Sequence, residues 1–271
     1  MTTYIPAWIY QQFDADYSLE YPGEGYGGWR RIDAPFDLGR CAVAVMHAWQ
    51  TYPYDVAPGH WRIVEYIPRS IEICEKLLPP FLEKVRAAGV RVIHINSDES
   101  AVAHYPGHKK IRELAGENPE KVAPIEIHGA TRELRDVKRR IAYPGEHNLP
   151  DLKIRSGLSY DFDSHVLPAG DELVMTTGEE IVAACRAYGI DHIIYTGFAI
   201  NFCLLMSPGG WLDLSRYDIT CSAVKELVTA VENKESCREE THKEYGLWHI
   251  ALCSGVVLEA ADFINALKNK E

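Results

Sequence analysis

The sequence predicts an α/β fold in which helices cover both faces of a parallel, doubly wound sheet. Two apolar runs of strand length, at 41–47 and 90–96, lack polar alternation, which is typical of strands buried on both faces. Segments with helical spacing separate these and the later strand-like runs, as in βαβ units. With 271 residues, the chain is long enough for one large α/β domain or two small ones.

The first 40 residues differ in composition from the rest of the chain. Residues 1–40 are rich in Tyr, Trp, Gly and Pro. We interpret them as an irregular arm that packs on a domain or on a partner subunit. The α/β domain is then expected to cover 41–271.

The remaining elements follow from local patterns. A helix over 70–89 carries apolar residues at helical spacing and ends at Gly89, and Pro79 and Pro80 are expected to kink or split it. The other predicted elements are, in chain order, helices near 109–115 and 131–141, a strand at 172–175, a helix at 178–189, a strand at 191–197, a helix that begins near Asn201 or Cys203, a strand at 217–223, helices at about 222–233 and 236–251, the apolar run at 255–260, and a last helix to about Lys268.

Charge and cysteine usage exclude several classes of protein. The chain carries 28 basic and 39 acidic residues, a net charge of −11, which argues against a nucleic-acid or anionic-membrane partner. No apolar run reaches the roughly 18 residues of a membrane span, and the first residues do not resemble a signal peptide. The seven cysteines are scattered without a CxxC pair, so we expect a reducing, cytoplasmic location.

Cys203 is the strongest candidate for chemistry. It lies in GFAINFCLL, 197–205, directly after the apolar run that ends at Gly197. In doubly wound sheets, ligands bind at the carboxyl ends of strands, and a helix N-terminus there favours a thiolate and can bind an oxyanion. The alternative is a buried structural cysteine, which is our interpretation of the other six.

The stretch ACRAYGIDHIIYTGFAINFCLL, 184–205, resembles the isochorismatase-like cysteine hydrolases, the superfamily that includes nicotinamidases. Gly197, Ala199, Asn201 and Cys203 match that family's Gly-x-Ala-Thr-Asn-x-Cys motif, with Ile200 in place of Thr. The resemblance implies a three-layer α/β/α fold with a mainly parallel six-stranded sheet, a homo-oligomer, and Cys203 as nucleophile. It also implies a cis peptide between Phe198 and Ala199 that directs the N–H groups of Ala199 and Cys203 into an oxyanion hole.

Two positions depart from the family pattern. His47 stands where the family has Asp after the first strand, and Met175, Thr176 and Thr177 occupy the region of the family's Lys. Lys153 is a candidate to replace that Lys. Because an imidazole can take a thiol proton, a pair of Cys203 and His47 is a workable nucleophile and base. The alternative is that His47 is a hydrogen-bonded histidine at a strand end.

Aromatic residues near the first strand are candidates for a substrate pocket. Trp49 and Tyr52 follow that strand closely, and they line a pocket or pack the N-terminal arm. Phe198 and Asn201 are further candidates for substrate contact, because both lie in the motif that carries Cys203.

A divalent metal such as Zn²⁺ is a further hypothesis. Asp98, His104 and His108 follow the second strand, as do the metal ligands of nicotinamidases, and these residue types suit zinc. Their spacing differs from the family's Asp-x-His, so the alternative is a set of exposed loop histidines. The Cys203 mechanism itself requires no cofactor.

Three functions remain open from the sequence. The first is hydrolysis of a small amide or related acyl substrate through an acyl-enzyme on Cys203. The second is a non-catalytic binding or assembly protein that has lost the family Asp and Lys. The third, vinyl-ether hydrolysis, is disfavoured because that reaction needs an acid to protonate the substrate.

Overall fold

The computed structural model describes residues 2–116, 125–155, 158 and 160–268. Its strands are β1 (Thr2–Gln11), β2 (Gly28–Asp37), β3 (Cys41–Met46), β4 (Arg91–Ile95), β5 (Leu173–Met175), β6 (His192–Gly197), β7 (Thr220–Val228) and β8 (Val257–Leu258). Its helices are α1 (Pro58–Ile63), α2 (Ile67–Glu72), α3 (Leu78–Ala87), α4 (Glu99–Val102), α5 (Pro106–Ala115), α6 (Gly129–Ile141), α7 (Leu149–Arg155), α8 (Gly178–Tyr188), α9 (Cys203–Met206), α10 (Trp211–Leu214), α11 (Thr241–Cys253) and α12 (Ala260–Lys268). Among the described helices, none has the length and apolar character needed to cross a membrane.

One sheet of eight strands organises the fold, in the order β2-β1-β8-β7-β6-β3-β4-β5. The chain runs outward from β3 through β4 to β5, returns to β6 beside β3, and continues outward through β7 and β8. All pairings among β3 to β8 are parallel, whereas β1 pairs antiparallel with both β2 and β8. The predicted doubly wound α/β fold is therefore confirmed, although the sheet has eight strands and not six.

The core lies on both faces of the sheet. In β3, Cys41, Val43 and Val45 belong to one apolar cluster, and Ala42 and Met46 belong to the cluster on the opposite face. Because helices cover both faces of the sheet, side chains on both sides of β3 are apolar, and the strand is a continuous apolar run in the sequence.

The prediction of an irregular arm over 1–40 is wrong for β1 and β2, which form an antiparallel hairpin. The hairpin joins the sheet where Ala7 and Trp8 of β1 pair with Leu258 and Val257 of β8. Only a few positions, among them Ile5 and Ala7, are fully buried. Each strand contains a proline, Pro6 in β1 and Pro35 in β2, and a proline within a run of residues argues against a strand in the sequence.

A second correction concerns the chain after β6. The helix predicted at 222–233 is wrong, because 220–228 form strand β7. Its Lys and Glu residues favour helix locally, but the strand lies between β6 and β8, and that tertiary context overrides the propensity. The following helix, α11, begins at Thr241 and not near 236.

The helical predictions near 109–115 and 131–141 are confirmed by α5 and α6. Pro79 and Pro80 lie near a break in the predicted helix over 70–89, which is divided as expected. A π-helical turn, Ile73–Leu77, separates α2 from α3, and α3 begins with a proline in its first turn. Proline is tolerated there because the first helical N–H groups have no partner within the helix.

Candidate active site

The candidate site lies at the carboxyl ends of β3 and β6, where the strand order reverses. Met46 and Gly197 are register partners at these two strand ends. The Phe198 N–H donates to the Met46 carbonyl at 2.9 Å, and the His47 N–H donates to Ile95 at the end of β4, also at 2.9 Å. His47 and the Cys203 loop therefore leave the sheet side by side at its topological switch point, where doubly wound folds bind ligands.

The turn after β6 depends on Gly197. Its φ is +106°, and a Cβ at this position would lie 2.0 Å from the Met46 carbonyl oxygen. Only glycine fits so close an approach of two backbones. The next peptide bond, between Phe198 and Ala199, is cis, as the family resemblance implies.

Cys203 is the first residue of the short helix α9 and is half-buried. Burial raises the pKa of its thiol, while the Ser207 hydroxyl and the Ala199 backbone act in the opposite direction. The expectation that the helix N-terminus favours a thiolate is thus outweighed by burial in the resting protein. Cys203 is therefore protonated at neutral pH, and the thiol would have to lose its proton to act as a nucleophile.

Two backbone N–H groups beside Cys203 have no backbone acceptor. The Ala199 carbonyl accepts hydrogen bonds from the N–H groups of Phe202 and Leu204, at 3.0 and 3.1 Å. In the described part of the chain, the N–H groups of Ala199 and Cys203 themselves donate to no backbone carbonyl, and the Ala199 backbone interacts with the Cys203 sulfur. Backbone N–H donors beside a reactive sulfur are what an oxyanion hole requires.

Ile200 and Asn201 hold this loop against the segment after β7. The Ile200 N–H donates to Thr229 at 2.8 Å, and the Asn201 carboxamide both donates to and accepts from the Val231 backbone at 2.9 Å. These bonds give Asn201 a positioning role, since one donor and one acceptor of its amide are already engaged. The Ile200 side chain packs against Gly246 of α11, which suits an apolar residue better than the family's Thr.

His47 is 3% exposed and adopts a left-handed backbone, with φ of +52°. Burial lowers the pKa of its imidazole to about 4. Its Nδ1 is buried and has no hydrogen-bond partner among the described residues. The side chain is therefore neutral at pH 7 and can accept a proton.

Trp49 and Tyr160 pack next to His47 and form an aromatic wall. The Trp49 ring stacks on His47 with centroids 4.7 Å apart, and Tyr160 lies edge-on to Trp49 at 5.8 Å. Trp49 is held by a bridge to Phe162. Its buried Nε1 also has no partner within the described residues. Two polar nitrogens in adjacent rings are thus left to bind a ligand or water.

Tyr52 lies farther along the same loop, toward α1. Its carbonyl accepts a hydrogen bond from Trp61 Nε1 at 2.8 Å. Phe198 is 5% exposed and lies 6.3 Å from the ring of Tyr66. A contact of Tyr52 or Phe198 with substrate stays a prediction.

The loop after β5 leaves no place for the family's Lys. Thr177 caps α8 and Glu180 completes the capping box, and the Thr176 N–H donates to Glu180 at 2.7 Å. The strand therefore passes directly into the helix. The side chain of Lys153, the alternative from the sequence, lies outside the described residues.

The predicted metal ligands do not form a site. Asp98 caps α4 by accepting from the Ser100 N–H, the His104 ring lies 3.6 Å from Asp161, and the buried His108 contacts the Val174 carbonyl at 3.2 Å. No group of three or more His, Cys, Asp or Glu residues suited to a metal occurs in the described ranges. The residues present do not fit a zinc ion at this position, so no step is routed through one.

Two residues of the site were not found from the sequence. Ser207 follows Cys203 by one helical turn, a spacing that could have indicated contact. Tyr160 joins the aromatic wall through the pairing of 160–163 with 48–50, in which Gln50 N–H donates to Asp161 and Asp163 N–H to Ala48, both at 2.8 Å. No local signal in the sequence indicates that long-range pairing.

The sequence matches no protein-family model and no curated protein. Among solved structures, a cysteine hydrolase from Pseudomonas syringae pv. phaseolicola 1448A is 17% identical, covering 89% of this chain and 98% of that chain with a TM-score of 0.50. The chain has the fold of this cysteine hydrolase. An isochorismatase-like hydrolase from Alkaliphilus metalliredigens is 16% identical, covering 85% of this chain and 99% of that chain with a TM-score of 0.49. At this identity the likeness concerns the fold, and chemistry must be argued from the site.

Proposed function

We propose that the protein is a cysteine hydrolase that cleaves a small amide or related acyl substrate through an acyl-enzyme on Cys203. The observation that carries this proposal is the position of Cys203 at the switch point, beside two N–H groups with no backbone acceptor. A nucleophile and an oxyanion site are the minimum that acyl transfer needs.

In the proposed first half-reaction, the Cys203 sulfur attacks the substrate carbonyl carbon while its proton passes to His47. The N–H groups of Ala199 and Cys203 hold the resulting oxyanion. The C–N bond then breaks, the leaving amine takes the proton from His47, and a thioester remains on Cys203. In the second half-reaction, His47 takes a proton from water, hydroxide attacks the thioester, and the acid leaves as the thiol is restored.

Both reacting groups start uncharged. His47 is neutral and the pKa of the Cys203 thiol is raised, so no thiolate–imidazolium pair forms before substrate binds. Because a base with a pKa of about 4 holds its proton weakly, it returns that proton readily to the leaving amine. The buried nitrogens of His47 and Trp49 supply polar contacts in an otherwise aromatic wall.

The raised pKa of Cys203 also favours a second candidate, a non-catalytic binding protein. In that case the thiol is a buried structural group, and the fold is retained for a ligand or partner.

A library of small amides, screened for amine release with trapped acyl-enzyme mapped by mass spectrometry, separates the two. The cysteine hydrolase predicts turnover in the native chain and none in Cys203→Ala, with Cys237→Ala as a matched control because Cys237 is exposed and distant in sequence. His47→Asn should lower turnover roughly 100-fold or more, as for loss of a general base. Turnover that survives in Cys203→Ala would overturn the proposal.

A further inference from the structure

Strand β2 is the outer edge of the sheet, and no other strand of the described residues pairs with its outer side. It is ten residues long, and only Ala34 and Phe36 are buried. Trp29 and Ile32 are each 37% exposed. A long edge strand of this kind presents a row of backbone groups to which another strand can pair.

The two prolines of the hairpin show which backbone groups point outward. Pro6 of β1 is the register partner of Asp33, and Pro35 of β2 is the partner of Tyr4. In an antiparallel ladder, hydrogen-bonded and non-hydrogen-bonded pairs alternate, so these two pairs, which are two residues apart, are of the same type. Because a proline has no N–H to donate, both are non-hydrogen-bonded pairs of the β1–β2 ladder. The N–H and C=O groups of Arg31 and Asp33, which both belong to pairs of this type, therefore point away from β1.

We propose that the chain forms a two-fold dimer in which β2 pairs antiparallel with β2 of a second copy, centred on Ile32. With Ile32 opposite its own copy, Arg31 lies opposite Asp33 of the second copy, and Asp33 lies opposite its Arg31. Opposite charges directly across an antiparallel ladder are stabilising. The same two positions carry the outward-pointing backbone groups, so both charge pairs coincide with hydrogen-bonded pairs.

Within its own chain, Arg31 already has an ion-pair partner. Its guanidinium pairs with Asp262 and lies 5.7 Å from the ring centroid of Trp8. Asp33, in contrast, has no ion-pair partner within the described part of the chain. The second copy supplies that partner.

Other registers are worse. A shift of two residues places either Arg31 opposite Arg31 or Asp33 opposite Asp33, which is repulsive. A shift of four residues places Arg30 opposite itself in one direction and brings Pro35 next to the dimer axis in the other, where its missing N–H interrupts the ladder. A shift of one residue places a residue whose backbone N–H and C=O point toward the second copy opposite a residue whose backbone groups point toward β1, so the ladder hydrogen bonds cannot form. Among these registers, the one centred on Ile32 is the one in which opposite charges face each other at hydrogen-bonded pairs.

A disulfide at the two-fold axis tests the register directly. Residues opposite each other in a non-hydrogen-bonded pair have Cα atoms about 4.5 Å apart, within the range that a disulfide spans. Ile32→Cys should therefore form a covalent dimer on mild oxidation of the full chain. Arg30→Cys is the matched control, since its copy would lie about 13 Å away along the strand. The native chain sets the background from its exposed Cys237 and Cys253.

Charge reversal supplies an independent measurement by sedimentation equilibrium. Asp33→Arg places two arginines opposite each other at both pairs and should weaken dimerisation at least 10-fold. The triple variant Arg31→Asp/Asp33→Arg/Asp262→Arg restores opposite charges across the interface, keeps an ion pair at the Arg31–Asp262 position and should recover the dimer, while Arg30→Asp, outside the charge pairs, should change it little. A native chain that is monomeric at all concentrations, or a dimer that neither cross-links through Ile32→Cys nor responds to Asp33→Arg, would overturn the proposal.

Discussion

Replacing His47 by Asn should remove part of the chain's sensitivity to acid, the rest of which includes the buried His94 and His192, whose pKa values burial also lowers. The His47 imidazole has a pKa of about 4 in the folded chain against 6.5 as the ordinary value, so the folded state resists protonation that the unfolded state accepts. The stability that this histidine contributes is present above pH 6.5 and is lost as the pH falls toward 4. Each pH unit in that window costs about 1.4 kcal/mol, so about 2 kcal/mol is lost by about pH 5.

Urea unfolding of the native chain and of His47→Asn, measured across that pH window, gives the assay. Asn tolerates the left-handed backbone at this position and does not titrate, so its stability curve should be flatter by about 2 kcal/mol. Met46→Leu, a volume-conserving change at the neighbouring residue, should give a curve parallel to that of the native chain. Parallel curves for His47→Asn and the native chain would show that the imidazole is not a buried neutral base, and the proposed proton transfer would lose its basis.

Three further predictions concern side-chain and backbone contacts that stabilise the fold. Glu172→Gln removes the carboxylate that pairs with Arg86 at 2.7 Å and contacts His94 at 3.0 Å and should lower the free energy of unfolding in urea by about 3 kcal/mol; a loss below about 0.5 kcal/mol would show that these two contacts do not stabilise the fold. Thr177→Ala removes the capping box of α8 and should lower stability by about 1 kcal/mol, with Thr177→Ser retaining most of it. Gly197→Ala forces a Cβ against the Met46 carbonyl and should cost more than about 4 kcal/mol or prevent folding; a native-like circular dichroism spectrum and melting point would refute that clash.

The central strands and the Cys203 turn could be predicted from the sequence for a physical reason. Strands β3, β4 and β6 are covered on both faces, so their apolar runs carry the signal locally. The turn is encoded in the same way, because Gly197 is required where two backbones approach closely. The cis peptide before Ala199 was implied by the family resemblance and is present.

The hairpin and the environment of His47 could not be predicted, because both depend on long-range pairing. The strand character of β1 comes from its register with β2 and from β8, more than 200 residues later in the chain. The stacking of His47 on Trp49 depends on the 160–163 segment that holds Trp49 in place. Similarly, Asp98, His104 and His108 follow one strand in sequence, but each side chain has a separate partner.

The bonds of Ile200 and Asn201 to Thr229 and Val231 have a consequence for local opening of the chain. The next residue, Glu232, accepts hydrogen bonds from the first backbone N–H groups of α11, at 3.1 and 2.9 Å. Hydrogen bonds thus connect the loop that carries Cys203 to the segment after β7, and that segment to the start of α11. If one of these three segments opens, the hydrogen bonds to its neighbour break as well. Their amide hydrogens should exchange with solvent as one cooperative unit, with a common free energy of opening.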